Sequence, residues 1–225
     1  ITNLSQINRV DGLLVASLDD DEILRSDLKA ADVPYVVLNR MLGGAPLTVV
    51  LDSRAAALRA TDHLIGLGHR RIAHLSGRAG GFNAGERLSG YKDALRAAGI
   101  DWDDRLVRAA GYTFEGGRSA MKELLPCAPT AVMAATLVSA AGAMSVLHDS
   151  GLTIPDDMSV IGLHDAAVAE MLYPALSTVA MPTEAMGRVA ADLLIRLLRG
   201  EHPANVTALP PGELVLRALI APPKI

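Results

Sequence analysis

Apolar and polar positions along this chain follow two rhythms. One is the short, nearly solid apolar run; the other is a longer stretch whose apolar residues recur every three or four positions. The first rhythm appears at 13–16, 33–38, 49–51, 72–75, 106–108, 130–135 and 159–162, and again more weakly at 178–180 and 214–219. Solid runs of this length predict strands buried on both faces, as in parallel sheets. The second rhythm predicts helices over about 20–31, 53–67, 84–98, 115–125, 140–149 and 182–199. Glycine punctuates them: Gly68, Gly99, Gly151 and Gly200 follow helical stretches, where a positive φ stops a helix at little cost. Pro182 falls at the opening of the last long helix, a position that tolerates proline. Strand and helix alternate through short loops, which predicts an α/β architecture of doubly wound parallel sheets rather than a bundle or sandwich.

The stretch 62–91 organises the rest. A helix ends at Gly68-His69, a strand follows at 72–75, and the polar, glycine-rich loop 76–85 leads into a helix opening near Glu86-Arg87. Such a loop lies beyond the carboxyl end of its strand, where open α/β sheets bind ligands.

Composition narrows the function classes. The chain has 225 residues, half of them apolar and only 3 % aromatic, enough for one large domain or two small ones. Its net charge is −4, and its 21 Lys and Arg are scattered, with no run longer than Arg70-Arg71. This chain is therefore a poor candidate for gripping DNA itself, which calls for a clustered basic face. The single cysteine, Cys127, cannot form an intrachain disulfide and suits a reducing cytoplasm. No uncharged apolar stretch reaches the roughly 18 residues of a membrane span, so no membrane partner is expected. The opening ITNLSQINRVDG has no secretion-signal pattern and begins as if inside a helix, so the chain reads as the remainder of something longer. The acidic run Asp19–Glu22 reads as a solvated first helical turn.

Catalytic signatures are missing. The six histidines are dispersed without metal-ligand spacing, and no nucleophile elbow, phosphate loop or dinucleotide fingerprint occurs. No cofactor is expected, and His164-Asp165 has no nucleophile placed beside it.

Several words of the sequence, in order and spacing, resemble the lactose/galactose repressor (LacI/GalR-type) family of transcriptional regulators. They are V-D-G-L-L-V-A-S, V-P-Y-V-V-L-N-R, D-H-L-I-G-L-G-H-R-R-I-A, E-R-L-S-G-Y, P-T-A-V-M-A-A, G-A-M, P-D-D-M-S-V-I-G and P-A-L-S-T-V. The resemblance runs almost end to end. It implies a periplasmic-binding-protein-like type I fold: two doubly wound subdomains joined by crossovers around a ligand cleft. The N-subdomain would hold 1–51 plus 182–209, and the C-subdomain 52–181 plus 210–225. The family's opening strands and its helix-turn-helix headpiece are not in this sequence, which would leave a sheet edge unpaired.

The same resemblance implies the site. Arg87 holds the position of an effector-clamping arginine, and its planar fork suits bidentate contact with hydroxyls or a carboxylate. Asn39 stands where the family usually has aspartate, with turn capping as its alternative role. Tyr112 aligns with a ligand-stacking aromatic, and Phe82 and Asn83 are expected in the loop facing the cleft. The chain departs from the family at Thr136, where an amide is usual, and at His164-Asp165, where two aspartates are usual. Met181 replaces a commonly polar residue. These changes make the pocket less acidic, and they suggest an anionic effector held by Arg87 and a protonated His164 in place of an ordinary sugar.

The expected function is effector sensing: a small molecule, sugar or small anion, controls operator binding by a headpiece outside this chain. The expected assembly is a cytoplasmic homodimer with contacts at Ala140, Met144, Leu147, Met171, Leu172 and Tyr173, residues whose alternative is burial within the protomer. A periplasmic solute-binding protein of a transporter is the rival reading, and a small-molecule hydrolase a more distant one.

Overall fold

The computed structural model of the chain describes residues 10–17, 20–45 and 47–224. The expected helix interior at the N-terminus and Asp19 of the acidic run lie outside the described residues. In chain order the elements are β1 (Leu13–Val15), α1 (Asp21–Ala31), β2 (Tyr35–Leu38), β3 (Thr48–Leu51), α2 (Ser53–Gly66), β4 (Ile72–Ser76), α3 (Phe82–Ala97), β5 (Val107–Ala109), α4 (Phe114–Leu124), β6 (Ala131–Ala134), α5 (Leu137–Asp149), β7 (Ser159–Leu163), α6 (Val168–Met171), β8 (Ser177–Val179), α7 (Thr183–Leu198), β9 (Val206–Leu209) and β10 (Leu214–Val215). They fall into two compact units. One takes the chain as far as Leu51 together with Pro182–Leu209; the other takes Asp52–Met181 and everything from Pro210.

The first unit has a parallel four-stranded sheet in the order β1-β2-β3-β9. Neighbouring residues of β2 show why it reads as a solid apolar run. Val37 packs with Val15, Leu24 and Leu28 under α1, while Val36 packs with Val49, Ala190 and Leu193 under α7. Successive strand residues point to opposite faces, and here both faces are covered. Helix α1 opens on Asp20, whose carboxylate accepts from the Glu22 amide at 2.8 Å. The acidic run is thus a helix cap, and Asp21 also pairs with Arg40.

The second unit carries a six-stranded sheet in the order β10-β8-β7-β6-β4-β5, parallel except for β10. Helix α2 packs across β6, β7 and β8 and against α3; α4 packs on β4 and β5 and against α5, which lies on β6 and β7. Ala73, Leu75, Val132, Ala134 and Val160 meet Met121, Leu124, Ala140, Met144 and Leu147 in its main core. Two glycines bring helix pairs into backbone contact. A Cβ at Gly90 would lie 2.0 Å from the Arg54 carbonyl oxygen of α2, and one at Gly142 would lie 2.1 Å from that of Phe114 in α4.

Three expected dimer contacts are corrected by this packing. Ala140, Met144 and Leu147 are buried in the core of the second unit, because α5 is apolar on nearly every side and is covered by sheet and helix. Leu172 also packs against that core. Met171 and Tyr173 remain on the surface, 78 % and 88 % exposed.

Element boundaries differ from the pattern reading where glycine and capping chemistry intervene. Helix α3 begins at Phe82, since Gly80 (φ +75°) completes the turn and Gly81 supplies the cap position. Helix α5 begins at Leu137 because Thr136 and Ser139 form a reciprocal capping box. The apolar pattern does not predict strand β9, whose alternating half-exposure breaks the solid run expected of a parallel strand. The expected strand 214–219 shortens to Leu214–Val215, and the following tail is tied down by side chains. His69 does much of this: Nε2–H donates to the Ala221 carbonyl at 2.9 Å, so Nδ1 is left to accept from Thr130 Oγ1 at 2.9 Å. Burial lowers the His69 pKa, keeping the ring neutral.

Candidate functional site

In the second sheet the chain runs from β4 outward to β5 and then returns to the other side of β4 as β6. Strand order therefore reverses between β4 and β6. The crevice outside the carboxyl ends of strands at such a switch point is the ligand site of open α/β sheets. Helix α3, which follows β4, delivers Arg87 to this edge in its second turn.

The surroundings of Arg87 are unusual for a cation. The residue is only 2 % exposed. Its Nη2 donates to His164 Nε2 at 3.0 Å, and its guanidinium stands 5.7 Å from the centroid of the Tyr112 ring. Its Nε is buried without a hydrogen-bond partner, and among the described residues no carboxylate pairs with it. Burial lowers its pKa, the direction expected when desolvation presses on a charge. A buried, unpaired guanidinium costs several kcal/mol of folding stability. Such groups persist where a site needs them.

Three strand ends build this environment. His164 follows β7 in a left-handed conformation (φ +69°), and its amide donates to the Val179 carbonyl of β8 at 3.0 Å. Because Nε2 accepts from Arg87, the imidazole proton is on Nδ1. Burial, together with the Arg87 charge, lowers the His164 pKa to about 4. The expectation of a protonated His164 is thereby corrected: a second cation cannot form 3.0 Å from the first. Tyr112 follows β5 and lies across Gly77 at the end of β4, where a Cβ would come 2.5 Å from its hydroxyl. Only glycine allows that approach.

Beneath the site sits a second histidine that the sequence does not single out. His74 of β4 is fully buried, and its Nδ1–H donates to the Met133 carbonyl at 3.1 Å, leaving Nε2 as a lone pair without a partner. Its pKa falls to about 4, through burial first and the nearby Arg87 charge second. Tyr91 stacks on it at 5.3 Å between centroids and donates to the Ile72 carbonyl at 2.7 Å. A histidine inside a strand word carries no sequence signal that separates this placement from ordinary core.

The other expected site residues are placed as follows. The Thr136 hydroxyl accepts from the Ser139 amide at 3.2 Å as the α5 cap. Asp165 turns to Arg217, at 2.7 Å, and accepts from Thr178 at 2.5 Å; the Arg217 bond holds its pKa low. Phe82 and Asn83 belong to the first turn of α3 rather than to a loop, and Asn83 Oδ1 accepts from Ser53 Oγ at 3.4 Å. Met181 is buried after β8. In the first unit, Asn39 ends β2 in a left-handed conformation (φ +54°) with its amide on the Val49 carbonyl at 2.7 Å. It repeats the backbone arrangement of His164, and asparagine tolerates that region well.

Two depressions elsewhere, one by Asp20 and Asp27 on α1 and one of about 340 Å³ beside Trp102 and Lys92, are open to solvent and collect no unpartnered buried group. Among the described residues no cluster of His, Cys, Asp or Glu could hold a metal ion, and no helix is long and apolar enough to cross a membrane.

Comparison with known proteins places this geometry. Residues 61–218 match the family described as the periplasmic binding protein-like domain. A LacI family transcriptional regulator from Mycobacterium smegmatis superposes with a TM-score of 0.92 at 36 % identity, covering 99 % of this chain and 83 % of that one. The chain belongs to the LacI family of transcriptional regulators. This LacI-family chain is also 40 % identical over 213 residues to the HTH-type transcriptional regulator CelR of Thermobifida fusca, covering 92 % of itself but 63 % of CelR. It is 38 % identical to GalR of Escherichia coli, covering 84 % of itself and 56 % of GalR. The chain thus spans about three fifths of the length of the curated relatives it matches. A CelR–cellobiose complex superposes with a TM-score of 0.89 at 37 % identity, over 96 % of this chain and 69 % of that one. These relatives are named as transcriptional regulators rather than as transporter components or enzymes.

Proposed function

We propose that the protein to which this chain belongs is a transcriptional regulator whose affinity for operator DNA responds to a small molecule held at Arg87. The observation that carries this reading is a buried guanidinium at the topological switch point, with donors left over and no counterion among the described residues. The relatives supply the context: they are HTH-type regulators, and CelR has been seen with cellobiose. DNA contact belongs to sequence beyond this chain, whose scattered cations give no basic face. The protein works by binding, without turnover or cofactor, in the cytoplasm, and as a homodimer to which the exposed Met171 and Tyr173 contribute. The ligand biases the population of conformers by its differential affinity for them, and by no more than that.

Fluorescence anisotropy of full-length protein on its own upstream DNA, across sugars, sugar acids and sugar phosphates, tests the reading. At least one compound is expected to change DNA affinity about five-fold or more in the native protein and not in Arg87→Met. DNA affinity that no compound alters would overturn it.

A further inference from the structure

Arg87 is the one described cation held inside the second unit with no carboxylate against it, and the groups around it are all neutral. His164 accepts one of its N–H bonds, Tyr112 offers a ring face, and His74 below is an uncharged lone pair. Glu86, next to Arg87 in the chain, makes no ion pair with it, and Asp165, next to His164, is already committed to Arg217 and Thr178. The guanidinium has five N–H donors, of which one is used among the described residues, and its Nε is buried without a partner there. The His164 ring, fixed with its proton on Nδ1, adds a further donor next to it. Apart from the His74 lone pair, the site is made of donors and net positive charge, and it lacks two things: enough acceptors for those donors and a counterion.

A neutral polyol would supply acceptors and donors but no charge, and it would leave the charge of Arg87 unbalanced in a desolvated place. An oxyanion supplies both, and its paired oxygens match the fork of a guanidinium. Resting on the ligand-sensing reading above, we infer that the effector carries an oxyanion group, a carboxylate or a phosphate ester, which binds Arg87 as its counterion. The selectivity is set at position 164. An aspartate there would neutralise Arg87 from the protein side and make the ligand's charge redundant; the histidine leaves that role to the ligand. Position 164 also permits the exchange, since aspartate accepts the left-handed backbone found at His164.

The test compares a neutral parent with its anions by calorimetric titration of the full-length protein: glucose and cellobiose against glucuronate, gluconate, glucose 6-phosphate and inorganic phosphate. At least one sugar-derived anion is expected to bind about ten-fold or more tightly than glucose and cellobiose, and Arg87→Met is expected to abolish that difference. The decisive variant is His164→Asp, which is expected to weaken the anion about ten-fold or more while thermal unfolding stays cooperative. Carboxylate against phosphate ester as the tighter anion separates the two sources of the same chemistry. Neutral sugars binding as tightly as the anions would overturn the inference while leaving the sensing reading intact. No anion binding at all, inorganic phosphate binding alone, or an anion affinity unmoved by His164→Asp would overturn it as well. Failure of the sensing reading is separate: it shows as DNA affinity that no compound changes.

Discussion

Burying Arg87 without a carboxylate sets stability against binding at a single residue. Arg87→Met keeps most of the stem's packing and removes the desolvated charge. Its unfolding free energy is expected to exceed that of the native chain by about 1 kcal/mol or more, while ligand binding is lost. Chemical denaturation and titration of the same preparation read both. The neighbouring histidines give a second signature. The His74 pKa, about 4 in the folded chain against 6.5 unfolded, means that between those values only the unfolded chain takes up the proton. Stability is therefore full above pH 6.5 and declines as pH falls toward 4, by about 2 kcal/mol between pH 7 and 5 for this one group. Urea denaturation at both pH values should show this decline, and His74→Phe should reduce it; an unchanged pH slope in the variant would contradict the assignment. The place of Arg87 on the helix beyond its strand is legible in the sequence because its E-R-L-x-G-Y word and its helix opening coincide. The employment of Thr136 is not: the T-x-x-S box that commits its hydroxyl to α5 is a local signal, and it competes with any reading of that residue as a ligand contact. Asp165 escapes for a different reason, since its partner Arg217 lies 52 residues away in a tail whose path no periodicity reveals.

Helix α3 contains two glycines with opposite expected responses. Gly85 has nothing within 4 Å of the place a Cβ would take, so Gly85→Ala should raise stability by about 0.5–1 kcal/mol through helix propensity alone. At Gly90 the added methyl meets the α2 backbone, so Gly90→Ala should cost about 1–3 kcal/mol as the helices are forced apart. Thermal unfolding of the pair checks this, and equal shifts would show that the α2–α3 approach is not what fixes α3. Alternating solid runs and amphipathic stretches make both sheets and most helices readable, because burial on two faces leaves a strand no polar positions. The exceptions are elements that no solid apolar run marks: β9, half exposed along its length, and the tail after β10, held by His69, Ser159, Arg217 and the buried Leu219 rather than by a ladder.

At the scale of the whole molecule, two largely parallel sheets carry helices on both faces, and the carboxyl edge of the second holds a charge that the described residues do not balance. Fold and family follow from words spread along the chain, whereas the chemistry of the ligand depends on side-chain pairing that only the folded arrangement reveals. If Arg87 holds the effector, the stability that a ligand confers depends on its guanidinium. Unfolding free energy of the full-length protein would be determined with and without pooled sugars, sugar acids and sugar phosphates, in the native protein and in Arg87→Met. A ligand present at about a hundred times its Kd should stabilise the native protein by about 2.7 kcal/mol and leave the variant unchanged; stabilisation that persists undiminished in Arg87→Met would contradict the account.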